Sequence, residues 1–198
     1  MRHMIISIFV LCAAISGKGQ NPALDYSFNA LSSSGTGAVL ATADLPDGRI
    51  LVGGRFYFFQ GLDYTGLVRL FPNGNVDTTF RSQPLWPGID ISEIVLDTEQ
   101  RILIGGDFDE FDGSPAGRIL RLLPDGERDL TFDPGSGTNS YLSGLILLPN
   151  GKILICGDFT EVDGYSRSGV ARLMPDGAVD VSFDPGTGFL NSSDPLYP

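Results

Sequence analysis

A chain of 198 residues with 26 Gly and 13 Pro but only 13 Lys and Arg together suits short strands joined by tight turns and suits helices badly. Its glycines follow no three-residue period, which excludes collagen. A formal charge of −11 repels a phosphate backbone, so nucleic acid is not an expected partner.

The N-terminus reads as a secretory signal peptide over residues 1–19. Arg2 and His3 precede an apolar run from Met4 to Ile15, and Ser16-Gly17-Lys18-Gly19 supplies small residues for cleavage. The run is too short to cross a bilayer as a helix, so no membrane span is expected after cleavage. Removing residues 1–19 also removes the only His and one of two Cys. The remaining Cys156 has no intramolecular disulfide partner. The expected address is secreted, extracellular or cell-surface.

Beyond the signal, Leu24-Asp-Tyr-Ser-Phe28 opens a series that recurs as Val76–Phe80, Arg128–Phe132 and Val179–Phe183, at intervals of 52, 52 and 51 residues. A fixed period near fifty marks a repeat architecture. The units span 29–80, 81–132 and 133–183 of a repeat domain at 20–188, with a lone terminal strand at 24–28 and a C-terminal stub at 189–198.

Each unit reads as four strands. The first is Ala38–Leu45, Ser92–Leu96 or Leu142–Leu148. It turns at Pro46-Asp47-Gly48 or Pro149-Asn150-Gly151; the middle unit has Asp97–Gln100 there, with one additional residue expected. The second strand is Arg49–Phe56, Arg101–Phe108 or Lys152–Phe159, with a continuously apolar centre that suits a strand covered on both faces. A longer connection carries Gly61, Gly113 or Gly164 in register. The third strand, Leu67–Phe71, Ile119–Leu123 or Val170–Met174, leads into Pro-Asn/Asp-Gly and a fourth strand ending on Phe80, Phe132 or Phe183. Pro pre-sets φ for the turn, Asn or Asp tolerates the next place, and Gly takes the left-handed conformation that closes the hairpin. Four strands in about fifty residues, in tandem, match blades of a β-propeller. The predicted fold is all-β: tandem four-stranded antiparallel blades, about three of them, incomplete or open. A longer protein or self-association would supply further blades.

The third unit carries Gly157, Asp158, Phe159, Gly164, Ala171, Arg172, Leu173, Pro175, Asp176, Gly177, Asp180, Ser182 and Phe183. This pattern, recurring three times, resembles the delta-60 repeat family of bacterial β-propellers. The resemblance covers Leu24 to about Gly188. It implies a propeller fold and a secreted or surface address, and it implies no particular chemistry.

Recurrence itself sorts the residues. Phe56, Phe108, Phe159, Phe80, Phe132 and Phe183 are expected in the core between blades. Arg69, Arg121 and Arg172 precede Asp77, Asp129 and Asp180 by eight residues, so either a cross-hairpin ion pair forms or the Asp bonds its own turn. Cys156 replaces Gly53 and Gly105 and is expected as a packed, inert thiol.

Function is sought where the copies differ. Tyr57, Phe58 and Trp86 are the candidate ligand-binding residues, because loop aromatics stack on sugars or anchor a protein partner. Asp107–Gly113 and Asp158–Gly164 resemble calcium loops only superficially: counted from Asp107, position 5 is Phe111, Gly falls at 7 and position 12 is Arg118. No metal site is therefore assigned. Without His, Ser-His-Asp and Cys-His arrangements are gone. No phosphate-binding motif and no cofactor motif is present. The expectation is a non-enzymatic module for binding or scaffolding, with an unknown protein or glycan partner. The alternative is a carbohydrate-active propeller, lectin-like or a glycosidase built on paired carboxylates.

Overall fold

The computed structural model describes residues 37–60, 62–81 and 90–186. The signal segment, Leu24–Phe28, Trp86 and the stub at 189–198 lie outside the described residues.

Blade 1 comprises β1 (Ala38–Asp44), β2 (Ile50–Arg55), β3 (Phe58–Phe59), β4 (Leu62–Asp63) and β5 (Leu67–Leu70). Blade 2 comprises β6 (Asp90–Leu96), β7 (Ile102–Asp107), β8 (Glu110–Phe111), β9 (Ser114–Pro115) and β10 (Ile119–Leu122). Blade 3 comprises β11 (Leu142–Leu147), β12 (Ile153–Gly157), β13 (Glu161–Val162), β14 (Tyr165–Ser166) and β15 (Val170–Leu173). Each blade has one antiparallel sheet, in the orders β1-β2-β5, β6-β7-β10 and β11-β12-β15. The remaining pairs are two-residue hairpins at one end of each blade.

The fourth strand of each blade is a single bridge: Leu70 with Val76, Leu122 with Arg128, Leu173 with Val179. The reason is local. Asp77 N donates to the Arg69 carbonyl at 2.8 Å, which extends the ladder by one bond. Its side chain then accepts from Thr79 N and Thr79 Oγ1, at 3.0 and 2.5 Å. That side-chain turn bends the chain away from the sheet before Phe80. Asp129 and Asp180 do the same with Thr131 and Ser182.

The turns after the first strand are all of one length, which corrects the expected extra residue in the middle unit. Asp97 N bonds the Arg101 carbonyl and Gln100 N the Asp97 carbonyl, as Leu45 N bonds Arg49 and Gly48 N bonds Leu45. Gln100 takes φ 60° where Gly48 has 82°. The Asp97 carboxylate accepts from Glu99 N, Arg101 N and Arg101 Nε, holding the loop without glycine.

The blades stack in sequence. Leu51 and Leu67 of blade 1 share one buried cluster with Ile91, Ile94, Ile102, Ile104, Leu120 and Leu122 of blade 2. Leu103 and Ile119, on the other face of blade 2, share a second cluster with Leu142, Leu145, Ile153, Ile155, Ala171 and Leu173 of blade 3. The middle strand of blade 2 therefore sends alternate side chains into two interfaces, as its unbroken apolar centre predicts. Phe80 and Phe108 lie in the first interface, and Phe132 and Phe159 in the second.

Candidate functional site

In blades 1 and 2, residues shared by every copy form a joint with the following blade. Arg69 lies on β5, buried with its neighbours. Its Nε donates to Asp77 Oδ2 at 2.8 Å, and its guanidinium stands 4.5 Å over the Phe80 ring. Its Nη1 donates to the Pro124 carbonyl of blade 2 at 2.5 Å. Arg121 repeats the set with Asp129 at 2.7 Å, Phe132 at 5.0 Å and the Pro175 carbonyl of blade 3 at 2.7 Å. Both sequence alternatives for the Asp hold at once. One carboxylate oxygen takes the Arg and the other closes the turn.

The Pro-Asp-Gly turn is the other half of the joint. Arg81 N donates to the Asp125 carbonyl at 2.8 Å, and Asp133 N to the Asp176 carbonyl at 2.7 Å. Gly126 and Gly177 sit at φ 95° and 99°. A Cβ on Gly126 would come within 2.8 Å of Phe80, and one on Gly177 within 2.8 Å of the Asp133 backbone. The glycine thus serves both the turn and the close approach of the preceding blade.

These contacts set the acidity of the buried carboxyls. Burial alone would raise Asp77 above its ordinary value; the donors from Thr79, Arg49 and Arg69 outweigh it and hold the group down to about 2. For Asp129, burial pushes up, but Thr131 and Arg121 prevail and the carboxyl is lowered. Asp180 is lowered chiefly by Lys152, then by Ser182 and Arg172. The three carboxylates are charged structural acceptors, tied to cations of their own blade.

The glycine pair on the middle strand has two separate causes. A Cβ on Gly53 would lie 2.8 Å from both Ile91 and Ile94, and one on Gly105 would lie 2.6 Å from Leu142. The first glycine thus makes the hollow that takes side chains of the following blade. A Cβ on Gly54, Gly106 or Gly157 would instead run into a backbone carbonyl, that of Ala38, Asp90 or Tyr141. The second glycine admits the first strand where its register shifts, at Val39/Ala41, Ile91/Glu93 and Leu142/Gly144.

A family model described as "Domain of unknown function (DUF5122) beta-propeller" matches residues 45–80, 101–132 and 148–183. The chain belongs to this family. The three matched DUF5122 segments hold the Arg–Asp pair and the Pro-Asn/Asp-Gly turn of every blade, with the Gly pair in blades 1 and 2 and Cys156-Gly157 in its place in blade 3. No curated protein and no solved structure matches the chain.

Where the DUF5122 copies differ, the structure separates the candidates. Tyr57 and Phe58 stand at the surface, 44% and 57% exposed, beside Leu62 at 45%. Phe58 pairs with Asp63 across the β3–β4 hairpin. Phe59 turns inward and meets the Phe56 ring at 6.0 Å. Trp86 lies outside the described residues, so the structure brings together only Tyr57 and Phe58 of the three candidates.

The acidic loops resolve into tight hairpins. Asp112-Gly113 and Asp163-Gly164 both have positive φ at the two central positions, 54° and 67°, and 46° and 77°. That is the geometry of a two-residue β-hairpin turn. Asp107 and Asp109 meet Arg118 at 3.4 and 2.8 Å. Asp163 Oδ1 accepts from Ser136 N at 3.0 Å, fastening the linker between blades 2 and 3. Among the described residues, no three His, Cys, Asp or Glu side chains gather as a metal-ligand group.

Cys156 is exposed, which overturns the expectation of a packed thiol. Its glycine counterparts face a following blade; among the described residues, Cys156 faces none. That Arg69 and Arg121 reach into the next unit was not legible locally, because the contacts join residues 55 and 54 apart.

Proposed function

We propose that the chain is a secreted or surface-associated, non-enzymatic β-propeller repeat module of the delta-60 type, used for binding or scaffolding. One observation carries the reading: the polar residues common to the copies are occupied by structural bonds, within each blade and, in blades 1 and 2, to the next blade. Arg, Asp and the turn carbonyls satisfy one another, and the glycines admit neighbouring atoms. Functional surface is then sought where the copies differ. Tyr57 and Phe58 on the blade 1 hairpin are such a departure, since blades 2 and 3 have Asp109-Glu110 and Thr160-Glu161 there. An unidentified protein or glycan is the partner this reading calls for.

The second reading is a carbohydrate-active propeller, favoured by the same exposed aromatics, whose faces suit sugar rings. A glycan array and a hydrolase screen on the mature chain test the pair. Glycan capture lost in Phe58→Ala supports the lectin-like form, and turnover in the screen overturns the non-enzymatic reading. Silence in both assays leaves protein partners or scaffolding.

A further inference from the structure

The chain has two Asn-Gly pairs, Asn73-Gly74 and Asn150-Gly151. In such a pair the second residue has no side chain to shield its amide nitrogen, so that nitrogen can close on the Asn carboxamide carbon. Both pairs lie in turns with the same bonds. Gly74 N and Gly151 N donate to the carbonyls of Phe71 and Leu148, each at 2.9 Å. Asn73 Oδ1 and Asn150 Oδ1 accept from Asn75 N and Lys152 N, each at 3.1 Å. This side-chain bond turns the carboxamide toward the following backbone. It also sets an N–H on the oxygen that takes up charge during attack. What remains is to release the glycine amide from its own bond, so the turn that opens more readily reacts first.

The two turns differ in what holds them. Gly74 is buried, and its carbonyl accepts from Gln60 Nε2 at 2.7 Å. Gly151 is part-buried beside an exposed Asn150, and a Cβ placed on it would meet only the exposed Pro175 ring, at 3.4 and 3.7 Å.

The other blades show what the product would do. Asp47 Oδ1 accepts from Arg49 N at 3.0 Å, the bond that Asn150 makes with Lys152 N. Gly48 and Gly151 stand at φ 82° and 80°. Arg49 joins Asp47 to Asp77, at 2.6 and 3.0 Å, and Arg101 meets Glu99 at 3.4 Å. In blade 3 this row is one charge short: Lys152 holds Asp180 at 2.8 Å beside a neutral Asn150.

We propose that Asn150 is a site of spontaneous deamidation, converted by water to aspartate, and that the fold withholds Asn73 from the same reaction. The bond from Gly151 N to the Asn150 side-chain carbon forms, and the amide proton passes through solvent to the departing nitrogen, which leaves as ammonia. Water then opens the resulting succinimide ring. Opening at the side-chain carbonyl gives aspartate, which fits the turn as Asp47 does and completes the row through Lys152. Opening at the backbone carbonyl gives isoaspartate, whose extra methylene in the main chain the turn's bonds do not fit.

The test holds the mature chain in warm, mildly alkaline buffer, folded and in urea, and follows the peptides containing Asn73 and Asn150 by mass spectrometry. In the folded chain, carboxyl gain at Asn150 is expected to run about tenfold faster than at Asn73, the difference between an open turn and a clamped one. In urea the two rates should converge. Equal rates in the folded chain, or an Asn150 that stays intact, overturn the proposal. A gap as wide in urea overturns the role of the fold. Gln60→Glu keeps the side-chain length and removes the donor; it is expected to raise the Asn73 rate alone, and an unchanged rate overturns the clamp. Asn150→Asp is expected to unfold at or above the thermal midpoint of the parent. A lowered midpoint overturns the claim that the turn accepts the product.

Discussion

Replacing Arg121 by Ala and, separately, Arg172 by Ala separates a joint residue from a surface ion pair. Arg121 is 6% exposed and Asp129 5%. Arg121→Ala leaves a buried carboxylate without its cation and the Pro175 carbonyl without its donor. Losing one partner of a buried pair costs about 3–5 kcal/mol. Asp129 keeps its two bonds from Thr131, which places the loss near the lower end, at about 3 kcal/mol. Arg172 is 26% exposed, and Asp180 keeps Lys152 at 2.8 Å. Its loss is that of a part-exposed pair, about 1 kcal/mol. The difference of about 2 kcal/mol is a factor of about 30 in the folding equilibrium. Urea unfolding followed by circular dichroism reads it directly. Equal losses in the two variants would refute the inter-blade role of the Arg.

The glycine pair gives a second contrast. Gly106→Ala drives a Cβ into the Asp90 carbonyl and is expected to prevent folding, whereas Gly105→Ala meets the side-chain ends of Leu142 and Leu145 and costs about 1–3 kcal/mol; soluble yield and thermal midpoint distinguish them. Acid should unfold the protein by titrating the buried carboxylates. Asp77 is held at about 2 against an ordinary 3.8, so its contribution is present above about pH 4 and is lost as pH falls through about 2; at about 1.4 kcal/mol per unit it amounts to roughly 2 kcal/mol. Asp77→Asn should flatten that part of the stability profile, and a wild-type profile already flat down to pH 2 would contradict the assignment. Phe58→Ala, at an exposed position, is expected to leave the unfolding free energy within about 0.5 kcal/mol of the parent while abolishing any glycan or protein capture.

Much of the fold was legible because the copies repeat it. The Pro-Asp-Gly turns lie at positive φ at Gly126 and Gly177, and the apolar middle strands are buried on both faces in blades 1 and 2. The two-residue hairpins were not legible, since arms such as Glu110–Phe111 and Ser114–Pro115 are too short for any period. The fourth strand was read too long because its residues suit a strand, while Asp77 and Thr79 bend it by side-chain bonds. Cys156 was misjudged for a different reason. Its surroundings depend on which face of blade 3 has a neighbour, and no local pattern encodes that. Of the candidate site, the aromatic departures at Tyr57 and Phe58 were visible as differences between copies, and their exposure required the structure.

The repeated stretch acts as a joint between blades, and native-state hydrogen exchange tests this most directly. The amides of Arg81 and Asp133 cross from one blade to the next turn, at 2.8 and 2.7 Å. Protection of both at the level of the Leu103 and Ile104 amides in the middle strand is the predicted result. Exchange at the rate of exposed turn amides would show that the blades open independently, and would contradict the account.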